Sequence, residues 1–455
     1  MELKCFKAYD IRGEIGSELN EDIAYKIGRA FGDVLNPGTV VLGSDPRLTS
    51  DSLKLSLSDG IRDSGHNVID IGMVGTEQVY FATVALGAGG GIEVTASHNP
   101  ISYNGMKPVA AGAKPITYNN GLSEIKRAVE KNSFVDLSRK LRGTYSKRDI
   151  LDDYIKAIIK NINIDRVTPL KIVMNPGNGA AGPVIEAFEK FFSQKNVPLE
   201  ILKFNQDPDG TFPNGIPNPM LKENRLFTSQ KVIEHNADLG IAWDGDFDRC
   251  FFFDDRGQFI EGYYIVGLLA KTFLTRDTNN VIVHDPRLIW NTIEVINNEK
   301  GRSAESRSGH TFMKEKMRQE NAVYGGEMSA HHYFRDFFYC DSGMIPWLLI
   351  VELICATKET LSCLVEPMIK NYPSSGEVNL KVRNVSESMQ KVLEFYRSLA
   401  LRQHLTDGLS MEFADWRFNL RASNTEPLLR LNLESRGCKA LVQQKLEEML
   451  AVLNE

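Results

Sequence analysis

Over most of its length, the sequence alternates short β-branched runs with longer stretches of helical period. The segments at 38–65, 170–192 and 280–296 each contain an apolar strand, a turn and a helix-like stretch. This alternation is typical of α/β units arranged around a mostly parallel sheet. The pattern therefore predicts an α/β fold for the larger part of the chain.

The tetrapeptide DPRL occurs twice, at 45–48 and 285–288, and each copy follows an apolar strand directly. In three places a later strand ends in an unusual polar loop. These loops are TASHNP after GGGIEV, DGDFDR after LGIAW, and GEMSAHHYF after AVY. We interpret the pattern as one α/β module used three times, with a functional loop at the same place in each copy.

A chain of 455 residues is too long for a single hydrophobic core, so several domains are expected. After about residue 371 the pattern changes to antiparallel strands mixed with helices, which predicts a separate α+β domain. We place the domains at 1–148 with the TASHNP loop, 149–253 with the DGDFDR loop, 254–371 with the GEMSAHHYF loop, and 372–455.

The composition is that of an ordinary soluble globular protein, with 42% apolar and 25% charged residues. A net charge of −6 argues against a nucleic-acid partner, because phosphate backbones are held by clustered lysines and arginines. The six cysteines are scattered without a C-x-x-C pair, which argues against a disulfide framework or a zinc site and favours a reducing cytosol. We therefore expect a cytoplasmic protein.

Two further segments bear on a membrane location. The N-terminus MELKCFKAYDIRG has no apolar core of a signal peptide. The longest apolar run, MIPWLLIVELICA at 344–356, is interrupted by Pro346 and Glu352 and is shorter than the roughly 20 residues of a membrane span. We predict a buried helix there and no membrane partner.

The loop DGDFDR places Asp244, Asp246 and Asp248 at alternate positions after an apolar strand. In an extended segment this alternation puts the three carboxylates on one side, where they repel one another unless a cation neutralises them. Oxygen ligands suit Mg²⁺ or Ca²⁺, but an EF-hand is excluded because Arg249 occupies the sixth position in place of glycine. A metal site is favoured over a solvated acidic turn.

The loop TASHNP contains Ser97 and His98, with Lys107 following on the next strand. A serine that accepts or donates a phosphoryl group needs a nearby cation to neutralise charge, and His98 or Lys107 could move protons or balance charge. The alternative is an Asn-Pro turn that the serine only caps. The metal site predicted at 244–249 favours the phosphoryl interpretation.

Two loops in the second half of the chain contain groups that bind sugars and phosphates. Glu327, Ser329, His331 and His332 suit hydrogen bonds to vicinal sugar hydroxyls, although a surface loop with a paired histidine is an alternative. Arg421, Ser423, Asn424 and Thr425 lie between two apolar strands and suit a phosphate nest, with an ordinary turn as the alternative. No dinucleotide fingerprint or Walker motif is present, so a nucleotide cofactor is not indicated.

Taken together, the motifs resemble those of the α-D-phosphohexomutase family, and most closely those of its bacterial phosphomannomutases. The matching segments, in chain order, are FKAYDIRG, GSDPRLTS, TASHNPISYNGMK, DGDFDR, GEMSAHHYF and RASNTEP. The resemblance implies three similar α/β domains with mixed, mostly parallel sheets and a C-terminal α+β domain, all around a central cleft. It also implies a phosphorylated hexose as substrate and a monomer or weak homodimer.

The resemblance further implies a role for each matching residue. Ser97 would be the phosphoserine that donates to the sugar, and it would share a Mg²⁺ ion with Asp244, Asp246 and Asp248. Around the transferring phosphoryl group would lie Tyr9, Arg12, His98, Lys107 and Arg249. Glu327 and Ser329 would bind the sugar O3 and O4 hydroxyls. The non-reacting phosphate would contact Arg421, Ser423, Asn424 and Thr425, and His310 would be a histidine of the cleft.

The implied reaction converts mannose 6-phosphate to mannose 1-phosphate through a bisphosphorylated hexose, with glucose or mannose 1,6-bisphosphate as activator. Its product would supply GDP-mannose for surface polysaccharide such as O-antigen or capsule. A phosphoglucomutase or a dual-specificity mutase is the alternative. Two residues depart from the family pattern: His284 stands where some dual-specificity members have lysine, and Ala330 replaces a common glycine.

Two other functional hypotheses are compatible with parts of the pattern. Asp244 could be the nucleophile of an aspartyl-phosphate phosphatase or mutase, although Phe247 and the third carboxylate Asp248 argue against it. A catalytically silent sugar-phosphate binding protein is disfavoured because the serine, the acidic triad and both binding loops are all present.

Overall fold

A computed structural model describes residues 3–36, 38–135, 141–422 and 428–454 of the chain. The residue contacts divide the chain into two compact units. The first unit contains residues 1–259 and 336–358, and the second contains residues 260–335 and 359–455. Along the sequence, three α/β segments are followed by one α+β segment.

The first α/β segment lies entirely in the first unit. Its strands are β1 (Ile11–Glu14), β2 (Thr39–Ser44), β3 (Asn67–Met73), β4 (Gly90–Val94), β5 (Tyr103–Ala110), β6 (Lys114–Pro115) and β7 (Tyr145–Lys147). Its helices are α1 (Glu21–Val34), α2 (Ser50–Asp63), α3 (Thr76–Ala85) and α4 (Leu122–Lys131). The sheet has the order β1-β5-β4-β2-β3-β7, with β6 paired to β5.

The first helix shows why these residues fold as they do. The side chain of Asn20 accepts a hydrogen bond from the backbone N–H of Ile23 at 2.9 Å, which caps the start of α1. Ile23, Ile27 and Phe31 follow at four-residue spacing and are all buried. They belong to the same hydrophobic core as Leu57 on α2, so the apolar period of both helices faces that core.

The second α/β segment completes the first half of the chain. Its helices are α5 (Leu151–Ile159), α6 (Ala181–Gln194) and α7 (Leu226–His235). Its strands are β8 (Leu170–Asn175), β9 (Leu199–Lys203), β10 (Leu239–Trp243), β11 (Cys250–Phe253) and β12 (Phe259–Ile260), in the order β12-β11-β10-β8-β9.

The third α/β segment begins in the second unit. It contains α8 (Gly262–Arg276), β13 (Val281–His284), α9 (Trp290–Asn298), β14 (Arg302–Glu305), α10 (His310–Glu320), β15 (Tyr324–Gly326) and β16 (His332–Phe334), with the strand order β14-β13-β15-β16. Two later elements, β17 (Cys340–Asp341) and α11 (Met344–Thr357), fall in the first unit, and α12 (Leu361–Asn371) returns to the second.

The last segment is antiparallel, which confirms the predicted α+β arrangement. Its strands are β18 (Ser374–Lys381), β19 (Arg402–His404), β20 (Leu409–Glu412), β21 (Trp416–Ala422) and β22 (Leu428–Ser435), in the order β18-β22-β21-β20-β19. Two helices, α13 (Val385–Tyr396) and α14 (Lys439–Asn454), complete it, and buried residues of α13, α14 and the strands form one core.

The three α/β segments share one strand arrangement. In each, the strand before the predicted functional loop (β4, β10 or β15) pairs in parallel with an earlier strand (β2, β8 or β13). It pairs antiparallel with the strand that follows the loop (β5, β11 or β16). Because parallel strands end at the same sheet edge, residues that follow both strands can meet there. The predicted threefold module is therefore confirmed, and TASHNP, DGDFDR and GEMSAHHYF occupy equivalent places.

The apolar run at 344–356 forms α11, and most of its side chains are buried, as predicted. This helix has 14 residues, which is short of the roughly 20 that cross a bilayer. None of the helices in the described ranges has the length and apolar character of a membrane span.

A buried carboxyl group on α3 joins several elements of the first unit. Glu77 accepts hydrogen bonds from Ser342 Oγ at 2.9 Å, Met344 N at 3.3 Å, Tyr154 Oη and Gly343 N. Tyr154 belongs to α5, and the other three donors lie at the start of α11. Burial raises the pKa of Glu77 to about 8, although its four hydrogen-bond donors act in the opposite direction.

Replacing Glu77 with Gln tests this buried group. Between its ordinary pKa of 4.5 and the folded-state pKa of about 8, the carboxyl binds more protons in the folded than in the unfolded protein. The wild-type protein therefore loses stability as pH rises through this interval, by at most about 1.4 kcal/mol per pH unit. We expect urea unfolding to show the stability of wild type falling relative to E77Q with rising pH. Glu124→Gln, at an exposed site on α4, is the matched control, and equal pH profiles for wild type and E77Q would contradict the assignment.

Candidate active site

Ser97 lies in a loop that begins directly after β4. Its backbone adopts the left-handed region, with φ of 49°, and its side chain is buried. The hydroxyl Oγ lies 2.9 Å from Asp244 Oδ2, to which it donates, and 3.0 Å from His98 Nδ1. The predicted serine and the predicted acidic loop, 147 residues apart in sequence, are therefore in direct contact within the first unit.

The backbone around Ser97 is held by hydrogen bonds from other parts of the segment. Thr95 Oγ1 accepts from Ser97 N at 2.8 Å. Arg12 donates from Nη1 to Ala96 O and to Asn99 Oδ1, each at 2.6 Å. Arg12, which was predicted beside the phosphoryl group, thus lies at the serine loop and fixes part of its shape.

Asp244, Asp246 and Asp248 come together after β10, and all three are buried. A carboxylate oxygen of each lies within 4.8 Å of one from the other two. The segment is not extended, however, because Phe247 has a left-handed φ of 43° and its N–H donates to Asp244 O at 3.1 Å. The predicted clustering is present, but the strand-like alternation that we gave as its reason is wrong. A tight turn brings the carboxylates together.

The acidic cluster has unequal charges. Burial and the repulsion of Asp248 and Asp246 raise the pKa of Asp244 to about 7. Burial also disfavours ionisation of Asp246, but the Lys107 ammonium, 2.6 Å away, lowers the pKa of that carboxyl below its usual range. Lys107 also contacts Asp248 at 2.5 Å, so one lysine neutralises part of the charge of two carboxylates.

The donor set fits a hard divalent cation. All the candidate ligand atoms are oxygens, which Mg²⁺ and Ca²⁺ prefer. Within the described ranges, Asp246 Oδ1 is buried without a hydrogen-bond partner, so this oxygen is available as a ligand. Asp246 Oδ2, by contrast, accepts from Thr76 Oγ1 at 2.6 Å, which orients the carboxylate.

Two other predicted residues, Arg249 and His98, contact this cluster. Arg249 Nε lies 3.5 Å from Asp244 Oδ2 and 3.9 Å from Asp248 Oδ1. Burial, followed by the positive charges of Arg249 and Arg12, lowers the pKa of His98 well below its usual range, so its imidazole is neutral near pH 7. Tyr9 lies half-buried before β1 in the same unit.

The predicted sugar loop follows β15 in the second unit. Glu327 accepts from Tyr333 Oη at 2.6 Å through Oε2 and from Gly309 N at 2.8 Å through Oε1. Gly309 directly precedes His310, the first residue of α10, so the predicted histidine follows a residue bonded to Glu327. Ser329 lies two residues after Glu327, and its Oγ accepts from Arg287 at 3.3 Å.

Arg421 lies near the end of β21 in the same unit. Its Nη2 donates to Glu377 Oε2 at 2.9 Å, and its Nη1 lies 3.9 Å from Asp407 Oδ2. The other predicted phosphate-loop residues, Ser423, Asn424 and Thr425, lie outside the described residues.

Several residues at these clusters were not predicted as site residues. Arg47 and Arg287 contact the serine loop and the sugar loop, and the repeated DPRL tetrapeptide was the sequence feature that could have identified them. Thr76 and Glu377 contact Asp246 and Arg421, and neither lies in a recognisable pattern.

The two departures from the family pattern have different consequences. His284 is buried at the end of β13, and its Nδ1 lies 3.0 Å from Asp285 O, within its own segment. Ala330 has a φ of 69°, in the left-handed region where glycine is favoured. The backbone conformation that suits glycine is therefore retained in this chain although alanine occupies the position.

Four family models match successive parts of the chain. They are described as phosphoglucomutase/phosphomannomutase alpha/beta/alpha domain I, over residues 3–136, domain II, over 152–257, domain III, over 261–372, and the C-terminal domain, over 377–452.

Relatives of known name and structure match the chain over its whole length. A phosphomannomutase of Escherichia coli K12 is 56% identical over 453 residues, covering 100% of this chain and 99% of the relative. A phosphomannomutase of Vibrio cholerae serotype O1 is 54% identical over 460 residues, again covering 100% and 99%. The crystal structure of a phosphoglucomutase/phosphomannomutase family protein from Burkholderia thailandensis has a TM-score of 0.87 at 31% identity, covering 99% of this chain and 97% of that one.

Exchanging Ala330 for glycine tests the strain in the sugar loop. A left-handed alanine costs roughly 1–2 kcal/mol, whereas losing a buried methyl group costs about 0.8 kcal/mol. The two effects nearly cancel, so we expect A330G to be neutral or slightly more stable than wild type in urea unfolding. Ala322→Gly is the matched control, since Ala322 is also buried but lacks a positive φ. It should lose about 1–2 kcal/mol, and an equal loss in A330G would contradict the strain.

Exchanging Asp244 for Asn tests the cation site without measuring activity. In EDTA, D244N should melt at a higher temperature than wild type, because it removes the buried carboxyl whose pKa is raised to about 7. Mg²⁺ at one hundred times its dissociation constant should stabilise folded wild type by about 2.7 kcal/mol. The melting temperature of wild type should therefore rise. Mg²⁺ should have little effect on D244N. Asp152→Asn, at an exposed position on α5, should behave as wild type, and an undiminished Mg²⁺ effect in D244N would contradict the site.

Proposed function

The chain belongs to the phosphoglucomutase/phosphomannomutase family, and we propose that it interconverts mannose 6-phosphate and mannose 1-phosphate. As a member of that family it is an isomerase that moves a phosphoryl group within a phosphorylated hexose. The observation that carries the choice of mannose is 56% identity, over the full length, to a relative named phosphomannomutase.

Ser97 carries the phosphoryl group in this proposal. When the enzyme is charged from a hexose bisphosphate, a sugar O–P bond breaks and a bond from phosphorus to Ser97 Oγ forms. For this transfer the Ser97 hydroxyl turns from Asp244 Oδ2 to His98 Nδ1, 3.0 Å away, and passes its proton to the imidazole, which is neutral because the pKa of His98 is lowered. The sugar oxygen that leaves takes up a proton from solvent. In the opposite direction the phosphoserine donates to a hydroxyl of the sugar monophosphate, whose proton passes to solvent, and His98 returns a proton to the Ser97 oxygen that leaves.

The cation of the site is proposed to be Mg²⁺, held by Asp244, Asp246, Asp248 and the Ser97 oxygen. When bound, the ion supplies positive charge that neutralises the oxygens of the transferring phosphoryl group. Lys107 does not act as a base, because attraction to Asp246 and Asp248 outweighs the effect of burial and keeps the pKa of its ammonium above the usual range. It acts as a fixed positive charge.

Arg12 and Arg249 are proposed to contact the phosphoryl group as it transfers, and Tyr9 to border it. The bridging hydrogen bonds of Arg12 to the serine loop support this place for its guanidinium. Arginine presents a planar fork of N–H donors that matches two phosphate oxygens at once.

The groups proposed to bind the sugar and the non-reacting phosphate belong to the second unit. Glu327 and Ser329 bind the O3 and O4 hydroxyls of the sugar, with His310 nearby. Arg421 binds the phosphate that does not react, together with Ser423, Asn424 and Thr425. A hexose 1,6-bisphosphate that turns around exchanges its reacting phosphate for its non-reacting one, and glucose or mannose 1,6-bisphosphate therefore activates the enzyme.

The choice between mannose and glucose does not depend on Glu327 and Ser329. The two sugars differ at C2, while O3 and O4 have the same configuration in both. A phosphoglucomutase or a dual-specificity enzyme is accordingly the second candidate. Relative kcat/KM values for mannose 6-phosphate and glucose 6-phosphate distinguish the candidates.

The cellular role follows from the product. Mannose 1-phosphate would supply GDP-mannose for surface polysaccharide such as O-antigen or capsule, and the enzyme would act in the cytoplasm as a monomer or weak homodimer. The six cysteines, all of which are free, support a reducing compartment. The proposed functional domains are 1–148 for the phosphoserine loop, 149–253 for the metal loop, 254–371 for the sugar loop and 372–455 for the phosphate loop.

Ser97→Ala tests the proposal directly. We expect loss of mutase activity, and we expect peptide mass spectrometry of wild type incubated with Mg²⁺ and glucose 1,6-bisphosphate to locate one phosphoryl group on Ser97. Ser102→Ala, an exposed serine of the same loop, should keep both properties. Phosphate on Asp244, or full activity in S97A, would instead indicate an aspartyl nucleophile. Absence of turnover in wild type would indicate a binding protein.

A further inference from the structure

The repeated tetrapeptide DPRL has no role in the proposed reaction, yet both copies occupy equivalent places. The first follows β2 and the second follows β13, and each of these strands pairs in parallel with a strand that leads into a functional loop. Each copy thus starts at the same sheet edge as the neighbouring loop. The arginines Arg47 and Arg287 are both almost fully buried.

Arg47 donates to four backbone carbonyl groups of the serine loop. Its Nη2 contacts Ser97 O at 3.0 Å and Asn99 O at 2.6 Å. Its Nη1 contacts Pro100 O and Tyr103 O, each at 2.9 Å. The guanidinium presents its five N–H donors in one rigid plane, so this contact fixes the path of the loop from the serine to the start of β5.

Asp45, the first residue of the same copy, holds the opposite side of the serine. Its carboxylate accepts from Thr95 Oγ1 at 2.7 Å, Ser50 Oγ at 2.6 Å and Arg47 N at 3.0 Å. Thr95 Oγ1 in turn accepts from Ser97 N at 2.8 Å. The carbonyl of Ser97 is bonded to Arg47, and its N–H is linked to Asp45 through Thr95. These bonds hold Ser97 in its left-handed backbone conformation.

The second copy contacts the sugar loop through side chains. Arg287 Nη2 lies 2.8 Å from Asp285 Oδ2, 3.4 Å from Glu327 Oε1 and 3.3 Å from Ser329 Oγ. Asp285 Oδ2 also accepts from Met328 N at 2.8 Å. The backbone and both proposed sugar-binding side chains of the loop are thus anchored to this copy.

The same arginine lies close to the phosphate-binding part of the last segment. Arg287 Nη1 lies 3.8 Å from Glu377 Oε2, and that oxygen accepts from Arg421 at 2.9 Å. Positive and negative side chains alternate along the series Glu327, Arg287, Glu377 and Arg421. Because each group is attracted to its neighbours, its side chain is restrained in one orientation. Arg287 is therefore linked to both proposed substrate contacts of the second unit.

We propose that the arginine of each DPRL copy is a positioning residue for the neighbouring functional loop. Arg47 positions the phosphoryl-carrying Ser97, and Arg287 positions Glu327 and Ser329. The inference rests on the proposed function for the roles of those loops. One repeated element then serves two different tasks, because the loops beside it differ.

The two tasks predict different kinetic effects. Displacing Ser97 from its position slows phosphoryl transfer without removing a sugar contact, so kcat falls while KM changes little. Displacing Glu327 and Ser329 weakens the hydrogen bonds to the sugar hydroxyls, so the affinity for the substrate falls and KM rises. A displacement of about 1 Å is enough to cost on the order of 100-fold in rate.

The test uses Arg47→Lys and Arg287→Lys in the full-length protein. Lysine keeps the charge but cannot contact four carbonyl groups or span two side chains with a planar fork. We expect R47K to lower kcat and the rate of Ser97 phosphorylation by glucose 1,6-bisphosphate about 10- to 100-fold. We expect R287K to raise KM about tenfold with a smaller change in kcat.

The matched controls are Arg142→Lys in the first unit and Arg302→Lys in the second. Both arginines are at least half exposed and form ion pairs with surface carboxylates. Their kinetic constants should stay within about twofold of wild type. The separate positioning roles would be refuted if R47K and R287K had the same kinetic effect, that is, if each changed kcat by the same factor and KM by the same factor as the other.

Hydrogen exchange measured by mass spectrometry gives a readout that does not need activity. Exchange should become faster in R47K within residues 95–105 and in R287K within residues 326–332, with the remaining peptides unchanged. Unchanged exchange in these loops would overturn the proposal even if activity fell. If S97A remained active, the proposed function would fail, while the exchange data would still decide whether the arginines hold the loops. Should R47K not fold, Asp45→Asn is measured by the same two methods and should shift both in the same direction.

Discussion

The arrangement of the first unit depends on burying three carboxylates together. Asp244, Asp246 and Asp248 repel one another, and buried charge is tolerated only where opposite charge and hydrogen bonds compensate it. Lys107 provides the positive charge from β5 and Thr76 a hydroxyl donor from α3. Compensation therefore comes from a different α/β segment, and the acidic loop and the serine loop must fold against each other.

The strand arrangement explains why this is possible in one chain. Each of the three α/β segments contains two parallel strands followed by one antiparallel strand. Each segment therefore has a sheet edge at which the ends of the two parallel strands lie side by side. The strand arrangement at that edge is the same in the three segments while the loop varies, and the serine, the carboxylates and the proposed sugar-binding groups are placed by the same geometry. The two DPRL copies are also equivalent elements that contact different groups. Arg47 contacts backbone carbonyls of its loop, whereas Arg287 contacts a carboxylate and a hydroxyl.

The second unit contains a network of opposite charges of its own. Glu377 lies among Arg287, Arg421 and Arg430, and their positive charges outweigh burial and lower the pKa of its carboxyl. Its ionised carboxylate balances arginines that would otherwise repel one another near the proposed phosphate site. The same unit buries Arg417 against Glu434 at 2.8 Å. Arg417 also donates to the carbonyl groups of Arg287 and Pro286, so this ion pair lies where the last segment meets the third.

The sequence by itself determined the fold class, the repeated α/β pattern and the loops proposed to contain the chemistry. These follow from local periodicity and from short motifs, because a strand followed by a polar loop is encoded by neighbouring residues. It also indicated that Ala330 is unusual, and the left-handed backbone at that position gives the physical reason.

Only the tertiary structure decided which groups meet. The turn that clusters the carboxylates depends on one backbone angle, at Phe247. The other contacts join residues that are far apart in sequence: Ser97 with Asp244, Lys107 with two carboxylates, and the hydrogen bonds of Glu77 and Glu377. No pattern in the sequence specifies them, because each requires two independently folded elements to approach within hydrogen-bonding distance. The sequence therefore determined the chemical groups of the site, and packing between segments determined their geometry.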